Sequence, residues 1–429
     1  MHSRTTTTHS EVTLAPGAGG ARRHPHLDAI KTHIQHPMAH LDRRRDAIRG
    51  FSPAWFTASM GTGMVCVVLE GFPYAWPPLR YAAMVFGALN LLMFVVFAVL
   101  LAWRLVQYRD LYDILLHPQL SMSLGAIPMA LSTLTTNATR ILAPYDLRWL
   151  PTLALVLWIV GAALSVLSLF SIPFLATTHH KHLFEKINAT ILMPVVTTVV
   201  SATTGAHVAS VHASGSLAGG IVVASYALLG AGLITALMLM ALYLVRLTLF
   251  GLPPRETVVS TFLPVGPLGQ SSCALQLLGT QARRIFPDAL PHVPPSLGET
   301  LYSAGFLAGL LIWAAAIWWL AYAVYVVVYT RVHGPVPFNL GWWALIFPSG
   351  TVETSTNVLW AISGIAFFRV LAAILSASIV VLWAVVAANT ICYAWTGELL
   401  KPVAIRRLEL VDDPASSAPA SPASPEQQV

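Results

Sequence analysis

Apolar runs separated by short polar breaks fill the chain from about residue 51 to residue 400. Ten of them, at about 53–70, 80–104, 117–137, 149–174, 187–209, 217–245, 257–279, 300–330, 338–358 and 366–396, are long enough to cross ~30 Å of hydrocarbon. The stretches 81–103, 149–178, 300–330 and 370–397 contain no Asp, Glu, Lys or Arg, and neither does 187–245. That last run is too long for one helix, and GSLAGG at 215–220 supplies the break. The pattern predicts an all-α integral membrane protein of ten transmembrane helices.

The runs alternate between two kinds. Prolines fall inside the odd ones, at Pro128, Pro194, Pro264 with Pro267, and Pro348; the first run has Pro53 at its start and Gly61, Thr62 and Gly63 within. The second, sixth, eighth and tenth have no internal proline, and the fourth has prolines only near its ends. Positions 128, 194, 264 and 348 are spaced by 66, 70 and 84 residues, one helical hairpin per interval. The odd runs also hold the polar side chains, including Thr133, Thr198, Gln270, Thr351 and Glu353. A proline bends a helix and frees a carbonyl, which the bilayer tolerates where backbone faces protein or a water-filled cavity. Five helical hairpins follow, with bent odd helices as an inner ring around a central pore and even helices outside. The competing reading is that small and hydroxyl residues serve helix packing alone.

Composition agrees with a membrane solvent: 56% of residues are hydrophobic and 10% charged, against about 25% charged in soluble chains. The net charge of +6 lies mostly in the tails and suggests an anionic leaflet, not nucleic acid. Residues 1–50 read as a basic, largely disordered cytoplasmic tail holding seven histidines, 51–400 as the ten-helix transporter domain, and 401–429 as a disordered cytoplasmic tail. With both termini inside, 18 of the 24 Lys and Arg are cytoplasmic, as the positive-inside rule favours. Cys66, Cys273 and Cys392 sit in apolar runs without a CxxC and read as membrane-buried small hydrophobes.

The interior chemistry is sparse. No Lys or Arg stands at the centre of an odd run, and the acids are Glu70 at an end and Glu353 inside. Hydroxyls, Gln270 and backbone amides at broken helices suit weak, transient contact with a small anion. Glu353 in mid-bilayer must be protonated, paired or near an aqueous exit, with Arg369 one conceivable partner. It reads either as a proton-coupling or selectivity carboxylate, or as a helix-end acid reaching water or a neighbour. Phe347, beside Pro348 on such a helix, is a candidate plug. HHKH at 179–182 with His207 and His212 lacks the repeated HxxxH and HxxHH boxes of membrane di-iron enzymes, so no metal, cofactor or catalytic residue is expected.

FSPAWFTASMGTGMV at 51–65 followed by GFPY at 71–74 resembles the opening of the tellurite-resistance/dicarboxylate transporter family. LPPRETVVSTFLPVGPLGQ at 252–270, FNLGWWALIFPSGT at 338–351 and WTGELL at 395–400 resemble its fungal sulfite efflux pump branch, which is related to the slow-type anion channels. The resemblance implies five hairpins around a pore, a homotrimer with one pore per subunit, and a pore-occluding phenylalanine on the ninth helix, here Phe347. Glu353 departs from the branch, where a small or hydroxyl residue is expected. The resulting expectation is a plasma-membrane exporter of sulfite or bisulfite; a proton-coupled malate or dicarboxylate permease and a passive gated anion channel are the alternatives. A small anion is favoured over a dicarboxylate because the odd helices show no central cation.

Overall fold

The structure is a computed structural model that describes residues 48–400 apart from 75, 180–183 and 295. The tail assignments for 1–47 and 401–429, the seven tail histidines and most of HHKH lie outside the described residues. All regular structure among the described residues is helical.

Ten principal helices follow the ten apolar runs: α1 (Phe56–Glu70), α2 (Pro77–Tyr108), α3 (Ala126–Leu142), α4 (Leu150–Thr178), α5 (Met193–Ser210), α6 (Ser216–Phe250), α7 (Val265–Ala289), α8 (Leu297–Val332), α9 (Ile346–Ser363) and α10 (Ala366–Trp395). Among the described residues, six segments are long and apolar enough to cross a membrane: all five even helices, and α5 together with its preceding turn from Ala189. Burial separates the two kinds. In the most apolar window, 89% of residues are buried in Ala189–Ser210, against 17% in α2 and 28% in α4 and α6. The even helices therefore expose most of their apolar surface, while the odd helices are enclosed.

The odd helices pack in cyclic order, α1 on α3, α3 on α5, α5 on α7, α7 on α9, and α9 back on α1. Each even helix lies against odd ones: α2 on α1, α4 on α5 and α3, α6 on α5 and α7, α8 on α7, α10 on α9. Small residues allow the close approaches. A Cβ on Gly269 of α7 would stand 2.4 Å from Thr351 Oγ1 and 2.8 Å from the α9 backbone. A Cβ on Gly305 of α8 would stand 2.5 Å from the Leu275 carbonyl oxygen of α7.

Indole donors tie outer helices to inner ones. Trp158 Nε1 of α4 donates to the Ser201 carbonyl of α5 (2.9 Å), Trp313 Nε1 of α8 to Thr356 Oγ1 of α9 (2.8 Å), and Trp383 Nε1 of α10 to Thr62 Oγ1 of α1 (3.0 Å). Many odd-helix hydroxyls thus serve packing, since a buried polar group in a low-dielectric interior favours a partner.

The prolines do not bend the middles of these helices. Pro128 is the third residue of α3, Pro194 the second of α5, Pro264 caps α7 with Pro267 its third residue, and Pro348 is the third of α9. In a first turn the missing N–H costs nothing, because the first four amides of a helix have no intrahelical acceptor. The change in path lies just before, in short 3₁₀ turns at Ala189–Leu192, Val258–Phe262 and Leu340–Leu345. Two smaller points also emerge. Residues 216–220 of GSLAGG are helical, so the break lies before them. Cys66 and Cys273 are buried within the protein, while Cys392 lies on the outward face of α10, a helix apolar enough to cross a membrane, where exposure outside the protein is compatible with lipid contact.

Candidate functional site

Two cavities lie along the inside of the cyclic arrangement, and Phe347 is the one described residue that lines both. Phe347 is the second residue of α9 and only 3% exposed. Its position follows from the local sequence: Asn339 Oδ1 caps the preceding 3₁₀ turn by accepting from Gly341 N–H (2.8 Å), and Pro348 starts the α-helix. Gly350, one turn on, leaves room for Met64 of α1; a Cβ there would meet Met64 Cγ at 2.1 Å.

The cavity at the N-terminal ends of the odd helices has a volume of about 170 Å³ and a mostly apolar wall that includes Met60, Met129, Leu192, Leu340 and Pro348. The cavity on the other side of Phe347 holds about 60 Å³, where ~10–15 Å³ suffices for one water. Its wall is mixed and the more polar of the two: Thr133, Thr136, Arg140, His207, Gln270 and Glu353 contribute from α3, α5, α7 and α9 beside apolar side chains such as Met64, Val200 and Leu277.

Arg140 is the cation of this wall. It stands in the last turn of α3, is partly exposed and pairs with Glu70 at the end of α1. Asn357 of α9 closes the same corner by donating from Nδ2 to the Gly71 carbonyl. The Nε of Arg140 and the Oδ1 of Asn357 have no protein partner, so donor and acceptor capacity remain at the cavity. Glu353 is 1% exposed; its Oε1 lies 2.9 Å from Ser376 Oγ of α10, and its Oε2 has no protein donor. The conceivable Glu353–Arg369 pair is not formed. The Arg369 guanidinium stacks over Tyr74 and Trp360, 4.2 Å and 5.3 Å from their ring centroids, and its Nε reaches the Pro73 carbonyl at 3.3 Å.

Of the residues singled out from sequence, Phe347, Thr133, Gln270 and Glu353 face the polar cavity, and Pro348 the apolar one. The others lie in neither wall. Gly61 packs on the Trp343 ring, Gly63 on Asn90 and Thr133, and Thr62 accepts from Trp383. Thr351 donates to the Pro348 carbonyl (2.7 Å), Thr198 to the Val195 carbonyl (3.0 Å), and Pro128, Pro194 and Pro264 are buried at helix starts.

Arg140 is a cavity residue that the sequence pattern does not single out, and His207, noted there only as part of an incomplete set of metal-type histidines, lines the same cavity. The third apolar run ends at about residue 137, which puts Arg140 in a loop, whereas α3 continues to Leu142. Thr133, Thr136 and Arg140 are spaced three and four apart, which puts them on one helix face. That spacing was the available signal.

The voltage-dependent anion channel family profile matches residues 50–391. The sulfite efflux pump of Trichophyton rubrum is 34% identical over 363 residues, which cover 84% of this chain and 96% of that protein. The sulfite efflux pump of Candida albicans is 24% identical, over 73% of this chain and 66% of that protein. The malic acid transport protein of Schizosaccharomyces pombe is more distant, 22% identical over 79% of this chain and 77% of its own length.

Proposed function

The chain belongs to the voltage-dependent anion channel family, and from that we propose that it exports sulfite or hydrogensulfite across the plasma membrane along a path plugged by Phe347. Multi-pass membrane character and anion transport rest on the family and its exposed apolar helices. The observation that supports the path is that, among the described residues, Phe347 alone lines both the apolar and the more polar cavity.

In this reading all ten helices span. The short odd helices reach across because 3₁₀ turns lengthen them: the six residues of Leu340–Leu345 and the 18 of α9 extend roughly 39 Å at ~2.0 and ~1.5 Å per residue. The termini are cytoplasmic, so the apolar cavity opens inward and the polar cavity outward. An anion leaving the cell meets the first turns of α5, α7 and α9, whose free amides and helix dipoles favour negative charge. It passes the Phe347 ring when that rotates, and reaches the hydroxyls and the Arg140 guanidinium. Arg140 is already paired with Glu70. The attraction is therefore weak, which suits passage better than storage.

A dicarboxylate permease is the second reading, and the Arg140 side chain is the observation in its favour. The 60 Å³ volume of the polar cavity and the presence of a single, already paired arginine favour the smaller anion. Expression in cells lacking their own exporter decides between them. Sulfite tolerance without malate uptake is expected; malate uptake without sulfite protection overturns the substrate assignment.

A further inference from the structure

Glu353 is a buried acid with too few donors to be a resting carboxylate. A buried carboxylate is sustained by two or three hydrogen bonds to its charged form. Among the described residues Glu353 has one candidate donor, the Ser376 hydroxyl, and forms no ion pair. That hydroxyl also lies 2.9 Å from the Ala372 carbonyl one turn back along α10. One O–H proton serves one acceptor. Back-bonding to the carbonyl four residues earlier is the habit of hydroxyls in these helices, as in Thr133 to Met129, Ser165 to Gly161 and Thr390 to Val386. When the Ser376 proton goes to Ala372, an ionised Glu353 Oε1 is left without a donor, whereas a protonated Glu353 can itself donate to Ser376 Oγ.

The carboxyl also lines the polar cavity. Other charged and titratable groups near it are few. From α7, Cys273 lines the same cavity; α1 ends in Glu70, which neutralises Arg140 of α3; His207 faces in from α5. The Arg369 side chain of α10 is turned to Tyr74 and Trp360, and α8 has no Asp, Glu, Lys or Arg between Glu299 and Arg331. No uncommitted arginine or lysine is there to offset Glu353 when an anion occupies the cavity. Two like charges in a water-poor space oppose each other strongly.

Building on the transport reading above, we propose that Glu353 is a proton-binding site linked to the anion cavity, so that an anion enters with a proton on Glu353 and favours its uptake. The step is a proton transfer only: at a pH where the empty site has lost its proton, the carboxylate takes H⁺ from solvent to become the acid as the anion enters, and releases it when the anion leaves. Linkage makes the effect reciprocal. Anion binding is tightest at low pH, where Glu353 is protonated, and weakens as pH rises through its titration, by up to about tenfold per pH unit for one linked proton.

The test uses the purified full chain in detergent with nitrate, which stays singly charged across the pH range, unlike sulfite. Calorimetry reads binding, and a weakly buffered solution with a pH indicator reads proton uptake. At a pH above the titration of the empty site, wild-type protein is expected to take up as much as one proton per chain at saturating nitrate, and none at low pH, where Glu353 is already protonated. Glu353→Gln, which matches the shape of the acid, is expected to bind nitrate without uptake and with little pH dependence. Ser376→Ala keeps the carboxyl but removes its partner, and is expected to retain uptake at a shifted pH. An infrared C=O band of a protonated carboxyl, present in wild type and lost in Glu353→Gln, reads the same proton even if nitrate affinity is altered. Nitrate binding with no proton uptake at any pH overturns the proposal alone. Uptake retained in Glu353→Gln but lost in His207→Asn assigns the proton to the imidazole and also overturns it. Binding of neither nitrate nor sulfite at any pH overturns both this proposal and the transport reading.

Discussion

Phe347 joins two cavities that no other described residue joins, so its removal connects them. If the ring adds as little as ~1.4 kcal/mol to the barrier, Phe347→Ala raises anion flux about tenfold. Deleting a buried phenylalanine costs roughly 3–5 kcal/mol of stability, so the comparison must be normalised to the amount of protein in the membrane. Phe347→Leu, which keeps apolar bulk, is expected to fall between wild type and alanine in whole-cell conductance or in a vesicle flux assay. Unchanged flux in the alanine variant at equal surface abundance sinks the plug. At this scale the chain was partly legible. Phe347 announced itself by standing before a proline in a run that also holds a carboxylate. Arg140 did not, because a basic residue at the end of an apolar run reads as a loop charge until the helix is known to continue past it. Glu353 was visible as an anomaly, but its dependence on one shared serine hydroxyl is a tertiary fact that no spacing reveals.

At the level of elements, the alternation of two helix kinds was readable because lipid and protein impose different compositions. Helices facing lipid are apolar all round, and enclosed ones tolerate hydroxyls and glycine. Ends were less legible. The 3₁₀ turns before α5, α7 and α9 share the apolar composition of the helices they precede, so hydropathy merges the two. The same merging placed the prolines in mid-helix. What the α7–α9 contact demands is a local steric statement with a testable consequence. Gly269→Ala forces its new methyl to within 2.4 Å of Thr351 Oγ1 and 2.8 Å of α9 backbone, which a rotamer change cannot relieve. Overpacking of this kind costs roughly 1–3 kcal/mol, so a clear fall in the thermal midpoint in detergent is expected. Gly220→Ala on α6 is the control: nothing lies within 4 Å of its Cβ, and helix propensity favours alanine by about 1 kcal/mol. A control that destabilises as much as Gly269→Ala overturns the steric account.

At the scale of the whole molecule, the cyclic contact of α1, α3, α5, α7 and α9 is completed within one chain. Both cavities are walled by residues of that chain, and the outward faces of the even helices carry apolar side chains such as Val106, Phe170, Met238, Tyr325 and Ile391. Lipid or other subunits can cover those faces without touching the path. A homotrimer, as the family resemblance implies, then contains three independent paths rather than one shared path. Independence has a quantitative signature. In cells co-expressing wild-type and Phe347→Ala chains at known ratios, flux should rise in proportion to the fraction of mutant chains, because each open path contributes alone. A path formed between subunits needs its gate removed from every contributor, and flux then rises as a higher power of that fraction, staying low until mutant chains dominate. A straight line supports a complete path in each chain, whatever the number of chains in the assembly. A steep curve places the path between chains and refutes the role assigned to the two cavities that Phe347 divides.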